Sequence, residues 1–363
     1  MSAARAKRAN LRRRRALRAA SYLLLSAVGI TMLVPFAWMV STSLKAPTQA
    51  IEFPLRWIPS EPVTVEVDGQ TRKVARVIGE EATRVAVLRY SPEGVRVRVI
   101  SPGPAAGEER LVAESQLETV RRVQFHWGNY GEAWRARGVR VREAFFGLLH
   151  QVDGFLVFYL NSIIVSICVT IGTVFTSSLA AFAFARMRFP WRDQIFFGYL
   201  GTLMVPAIVI MLPVYALLSQ LRMTNSYGAL ILPVMFSAYG TFLLRQFFLT
   251  IPQELEDAAV IDGASPFAVY RFIIMPLSKP ALATLTTFVF LHSWNDFLWP
   301  LMVVDRLALK TLPIGLAHFQ DSYTTDYHLL MAASVIVMVP VLIVFMLGQR
   351  YFVRGIALSG MKG

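Results

Sequence analysis

Residues 251–280 read IPQELEDAAVIDGASPFAVYRFIIMPLSKP, a polar stretch between two long apolar ones. Pro252 fits the first turn of a helix, where a missing N–H leaves no bond unmade. Residues 253–262 are good helix formers. Glu254, Glu256 and Asp257 stand in the early turns, where the helix dipole favours acids. Gly263 fits the left-handed position that ends a helix. Ser265-Pro266 restarts a second helix, and Pro276 and Pro280 punctuate its exit. The pattern predicts a short helix, a glycine elbow and another short helix between two membrane spans. Ala258, Ala259 and Ala264 are small enough to let another protein's surface come close. Asp262, Ser265 and Arg271 complete a candidate contact set around Gly263.

The flanking composition supports that setting. The chain has 363 residues, is 55% hydrophobic and has a mean hydropathy of +0.50. Its apolar residues come in blocks, which predicts an all-α polytopic membrane protein rather than a soluble domain. The formal net charge is +13. Much of it lies at residues 1–20, next to an apolar segment, as a topology and lipid-surface signal would; nucleic acid is not an expected partner. The one cysteine, Cys168, permits no intrachain disulfide and no cysteine-cluster metal site. The five histidines, at 126, 150, 292, 318 and 328, have no metal-ligand spacing.

Apolar segments are expected as spans at 21–44, 155–185, 194–218, 229–249, 281–303 and 329–347. The first is too long for a cleaved leader and no small-residue cleavage site follows it. The second is rich in small residues, among them Gly172, Ser177, Ser178 and Ala181, which permit close helix packing in lipid. The third is expected to kink or break near Pro206 and Pro213. Residues 350–363 form a short basic tail. Six spans put both termini on one side. The basic amino terminus, the loop 186–192 and the tail mark that side as cytoplasmic, and place 251–280 there too.

The hydrophilic stretch 45–154 contains a region, about 63–124, with a period of two. Val63, Val65 and Val67 precede Asp68-Gly69; Val85 and Val87 follow; Ser91-Pro92-Glu93-Gly94 precedes Val95, Val97 and Val99. This predicts a small antiparallel β-rich insert outside the membrane. Arg84, Arg89, Arg96 and Arg98 alternate with the valines and make one face basic, as a solvated face would be. The insert is either a contact surface for a partner protein or an insertion that merely folds.

No G-x-x-x-x-G-K-[ST] phosphate loop, nucleophile elbow or zinc motif occurs, so catalysis in this chain is not expected. Polar residues inside spans are candidates for a translocation path. The main cluster is Trp294, Asn295 and Asp296, which either meets a solute or ties helices together. Tyr215 and Tyr239 are weaker candidates.

Asp257-Ala258-Ala259, then Gly263, then Ile273 and Pro276-Leu277, resembles the EAA loop of ABC-importer permeases. The wording LLRQFFLTIPQELEDAAVIDGAS around it, PFAWMVSTSLK at 35–45, FYLNSIIVS at 158–166 and the tail RYFVRGIALSGMKG resemble the carbohydrate-uptake subfamily, specifically its maltose-G-like permeases. The first motif position is Asp257 rather than Glu, which keeps the charge and shortens the reach by one methylene. The resemblance implies the six-helix fold of a type I ABC importer permease in a bacterial or archaeal inner membrane. It also implies a homologous second permease forming a heterodimer, two ABC ATPase subunits that bind ATP and Mg, and an extracytoplasmic solute-binding protein. By the same resemblance the tail either reaches between the ATPase subunits or is a frayed terminus. The rival expectations are an ion- or proton-coupled carrier, for which Asp296 is the fair relay candidate, and a membrane-anchored β-module receptor without transport.

Overall fold

The computed structural model describes residues 2–101, 104–135, 140–144, 149–317 and 326–359. His318, Asp321 and the last tail residues, 360–363, lie outside these. The chain divides into two compact units, Met1–Tyr130 with Asp326–Ala332, and Gly131–Thr325 with Ala333–Gly363.

The first unit begins with helix α1, Ser2–Ser43, so the basic amino-terminal segment and the apolar segment form one helix. Strand β1, Ser60–Pro62, pairs with β8, Arg121–Val123. Between them lie β2 (Thr64–Val67), β3 (Gln70–Val77), β4 (Glu80–Ser91), β5 (Gly94–Val99), β6 (Glu109–Val112) and β7 (Leu117–Thr119). They form one antiparallel sheet in the order β2-β3-β4-β5-β6, with β7 also on β3. The expected alternation is what builds it. Ala75, Val77, Val85, Val95, Val97, Val99 and Val112 fill a buried core. Asp68 and Gly69 both have positive φ, 54° and 72°, as a tight two-residue hairpin turn requires.

The opposite face of the sheet carries arginines, but not evenly. Arg98 is ion-paired to Asp68 at 2.8 Å and to Glu109 at 2.6 Å. Arg76 stands opposite Arg84, and Arg89 opposite Arg96, and none of these four has an ion-pair partner among the described residues. Below the sheet, the Asn129 side-chain amide donates to the carbonyls of Ser43 and Lys45, both at 2.8 Å. Lys45 is 2% exposed, with its ammonium 3.7 Å from the centre of the Trp38 ring. Burial lowers its pKa from the ordinary lysine value.

Helix α2, Gly128–Trp134, leads to a hairpin that the sequence pattern did not announce, β9 (Arg140–Ala144) with β10 (Leu149–Asp153). The second unit is then helical: α3 (Gly154–Arg186), α4 (Arg192–Gly201), α5 (Ala207–Gln220), α6 (Tyr227–Ile231), α7 (Ala238–Phe248), α8 (Glu254–Ile261), α9 (Pro266–Val269), α10 (Met275–Leu277), α11 (Lys279–Trp294), α12 (Leu298–Val303) and α13 (Leu312–Ala317). Helix α14 spans Tyr327–Ser359.

Helix α3 is the pillar of this unit and packs against α7 and α11. Its small residues do what close packing needs. A Cβ added at Gly240 on α7 would come within 2.7 Å of the Ser177 hydroxyl and 3.2 Å of Leu285 on α11. Gly172 is pressed by Met235 in the same way. Some hydroxyls along α3 find partners off the helix, among them Thr176 with the Met235 carbonyl at 2.8 Å and Ser178 with the Tyr270 hydroxyl at 2.8 Å.

Three helical stretches are long and apolar enough to cross a membrane unbroken: Arg14–Ser43, Gly154–Arg186 and Tyr327–Arg350. Three further pairs reach that length only across a bend: Arg192–Met204 with Ala207–Gln220 at 100°, Tyr227–Val234 with Ala238–Phe248 at 43°, and Pro266–Leu277 with Lys279–Trp294 at 79°. The break before Pro206 was expected, whereas Pro213 lies inside α5. The expected fifth segment, 281–303, is not one helix: α11 ends at Trp294 and α12 starts at Leu298. Pro276 and Pro280 flank the break that ends the second helical stretch, between Leu277 and Lys279. Both sit in the first turn of a helical piece, where proline is tolerated, and a π-helical turn at Tyr270–Ile274 keeps the chain helical up to Pro276. The tail is not separate either, since α14 continues to Ser359.

Candidate functional site

The segment 251–280 folds as a helix, an elbow and a helix. Gly263 has φ +85°. Its N–H bonds the Val260 carbonyl at 3.0 Å, and the next N–H, of Ala264, reaches back to the Ala259 carbonyl at 2.9 Å. This crossed pair is the Schellman termination, which requires a left-handed residue where Gly263 stands. Ser265 then caps α9, its hydroxyl accepting from the Ala268 N–H at 3.3 Å.

One side of the elbow is built into the helical core. Ile251, Val269, Tyr270 and Ile274 are buried in one cluster with Ala181, Phe182 and Ala185 of α3, Leu244 and Phe248 of α7, and Ala281 and Leu285 of α11. Ala259 and Ala264 pack against the same cluster. Arg186, the last residue of α3, ties the entry of the loop down. Its guanidinium donates to the carbonyls of Phe248 and Ile251, both at 2.6 Å, and its Nε lies 2.8 Å from Glu256 Oε1. The two side chains of that ion pair are only 11% and 12% exposed. Desolvation raises the Glu256 pKa above the ordinary carboxylate value; Arg186 opposes this and Asp257 adds to it. Arg245 braces the neighbouring turn, its guanidinium 4.2 Å from the Phe196 ring centre and its Nε donating to the Phe184 carbonyl at 3.2 Å.

The other side of the elbow is open. Glu254, Asp257, Ala258, Asp262, Gly263, Ser265, Arg271 and Pro276 are all exposed. Between them stand large apolar side chains with no cover: Ile261 is 85% exposed, Phe272 70% and Phe267 62%. A Cβ added at Gly263 would meet nothing of this chain within 4 Å. Most of the candidate contact residues are therefore exposed, on a base clamped by Arg186 and Glu256, while Ala259 and Ala264 pack inward. That clamp was missed from sequence because its two halves lie far apart along the chain.

The second cluster sits where two of the bent pairs break, near Pro206 and Ser237, beside the gap between α11 and α12. A cleft of about 1090 Å³ is lined by Pro206, Ser237, His292, Asn295, Asp296 and Trp299, among others. A second, of about 460 Å³, shares Ser237, His292, Asp296 and Trp299 and adds Tyr239. Irregular backbone at membrane depth is tolerated where it is buried in protein or lines a watery cavity, and these breaks line one. Asp296 accepts a hydrogen bond from the Trp299 N–H at 3.3 Å and so caps α12. The Asn295 amide donates to the Leu291 carbonyl at 2.7 Å.

Trp294 is placed differently from the expectation that its ring could stack on a solute. It is 1% exposed, parallel-stacked with Phe290 and edge-on to Tyr159, with its indole N–H on the Val337 carbonyl at 3.3 Å. It ties helices together and lines neither cleft. Tyr215 packs against the core of Val165, Val169 and Leu218 and lines neither cleft itself, although Val165 and Val169 line the smaller one. Among the described residues no group of histidine, cysteine and carboxylate side chains could hold a metal ion.

The chain is similar to known transport proteins. The sn-glycerol-3-phosphate transport system permease protein UgpE of Salmonella typhi is 41% identical over 251 residues, covering 69% of this chain and 85% of that one. The protein of the same name from Brucella abortus (strain 2308) is 40% identical over 219 residues, covering 59% and 78%. A chain from the crystal structure of a bacterial ABC transporter involved in the import of the acidic polysaccharide alginate superposes with a TM-score of 0.63 at 17% identity. It covers 93% of this chain and 97% of that one, a likeness of fold. Residues 172–358, which hold the elbow, the larger cleft and most of the smaller one, match the model of binding-protein-dependent transport system inner membrane components, and the chain belongs to that family.

Proposed function

We propose that this chain is one of two different permease subunits in an ATP-driven importer of a carbohydrate or related polyol, and that the 251–280 elbow couples it to the ATPase. Members of this family are transporter subunits, and the ATP is hydrolysed by a separate subunit. The observation that carries the coupling role is the elbow itself: an exposed apolar and acidic surface on a base locked to α3, α7 and α11. A push on the exposed side moves those helices because Arg186 and the buried cluster leave no slack. Two ATPase subunits and an extracytoplasmic binding protein complete the system. The three straight helices and the three bent pairs make six spans. The basic termini and the basic loop 186–192 face the cytoplasm.

Orientation is tested by labelling. A cysteine at Ser91 reacts with an impermeant thiol reagent added outside intact cells, whereas one at Ser265 reacts only after the membrane is opened. The reverse pattern overturns both the topology and the coupling role.

The β-rich insert lies outside the membrane in this orientation and serves as a contact surface for the binding protein. Its opposed pairs, Arg76 with Arg84 and Arg89 with Arg96, support this, because like charges directly across strands destabilise a sheet unless something neutralises them. Replacing residues 63–124 by a short flexible linker should leave basal ATP hydrolysis intact and lower solute uptake. Unchanged uptake would leave the insert without a docking role.

A further inference from the structure

The larger cleft is where two helices begin. Pro206 and Ala207 at the start of α5 and Ser237 and Ala238 at the start of α7 line it. Helix α5 has no side-chain cap. Helix N-termini carry partial positive charge and attract anions, so the backbone alone would make this a cleft for a phosphorylated or carboxylated solute. Asp296 alters that balance. Its carboxylate lines both clefts and already takes the Trp299 N–H. No lysine or arginine lines either cleft among the described residues, and the polar lining beside Asp296 includes His292, Asn295, Ser237 and Ser293. A carboxylate next to amide, imidazole and hydroxyl groups suits sugar hydroxyls, which both donate and accept, and repels a second anion in a cleft whose low-dielectric walls focus its field.

We propose that Asp296 is the specificity-determining residue of this cleft: it supplies the anion that the helix N-termini attract and so reserves the cleft for neutral, hydroxyl-rich solutes. This rests on the cleft being part of the transport path. The test uses the complete transporter in lipid bilayers, with Cys168→Ser removing the native thiol and Val234→Cys placing one between the two clefts. Reaction rates are measured with a neutral and an anionic methanethiosulfonate reagent, each normalised to its rate with a free thiol. With Asp296 present the anionic reagent is the slower one. Asp296→Asn should raise its rate relative to the neutral reagent by about tenfold, the lower end of what one sign of charge does in a cleft, and Asp296→Glu should not. If Asp296→Asn does not assemble, Asp296→Ser, which can still cap α12, gives the same comparison. An anionic-to-neutral ratio that neither substitution changes overturns the proposal and leaves the path standing. A cysteine that no reagent reaches, with or without ATP turnover, overturns the path together with the proposal.

Discussion

Gly263→Val is expected to leave the chain inserted in the membrane and to abolish ATP-driven uptake. Its φ of +85° is a conformation that a side chain makes costly, by about 1–2 kcal/mol, and more for a β-branched one. The added carbons meet nothing in this chain, so the fold of the helical unit has no reason to fail. They project instead onto the surface where the ATPase subunit is proposed to sit, and overlap forced into a packed interface costs about 1–3 kcal/mol more. Gly263→Ala should be milder. Asp257→Lys should act in the same direction by placing a cation in the first turn of α8, where the dipole favours an acid. Gly29→Val, in the middle of α1 with open space around it, is the control. The check is ATPase retention on the purified permease together with solute-stimulated ATP hydrolysis in liposomes.

Arg186→Ala should do more damage, and of a different kind. It strands the Glu256 carboxylate in a site where that side chain is 12% exposed, and it removes the donor from the Phe248 and Ile251 carbonyls. Breaking a buried ion pair by deleting one partner costs about 3–5 kcal/mol, largely because the other charge is left behind. The purified permease should therefore melt earlier and be cut faster by protease between α7 and α9. Adding Glu256→Gln should recover part of the loss, since an amide needs no counter-charge. The pH dependence has a definite sign. Desolvation raises the Glu256 pKa in the folded state, so the ionised group destabilises the fold above that pKa and ceases to do so as pH falls through it. With Arg186 gone nothing opposes that shift, so the deficit of Arg186→Ala should shrink on acidification. A deficit independent of pH would mean that the lost carbonyl bonds, and not the stranded charge, dominate.

Local rules made much of this legible in the sequence. Gly263 follows a run of helix formers with no other residue able to turn left-handed at that point, and Asp68-Gly69 sits between alternating valines, so both turns could be read from a few neighbours. The small residues of α3 announced close packing without naming the partner. What could not be read was set by distance along the chain. Arg186 looked like a topology charge in a basic loop, because nothing near it in sequence reveals that it reaches two carbonyls and Glu256. Trp294 could be read either as a solute platform or as a tie between helices, because only the approach of Tyr159, Phe290 and Val337 closes its faces. The breaks were half legible: Pro206 announced one, but the gap at Asn295–Phe297 contains no proline and follows from Asp296 capping a new helix. Pro276 and Pro280 marked the 79° break between them, but not that each would sit in the first turn of a helical piece.

Ile261, 85% exposed at the tip of α8, offers the most direct measurement of the coupling role. A photo-cross-linking residue, p-benzoylphenylalanine, placed at Ile261 in the full chain and irradiated in native membranes should form a single adduct with the system's ATPase subunit. The same residue placed at Leu212, on the apolar surface of α5, should not. Cross-linking from Ile261 to lipid alone, with uptake that continues on an ion gradient when ATP is withdrawn, would contradict the account.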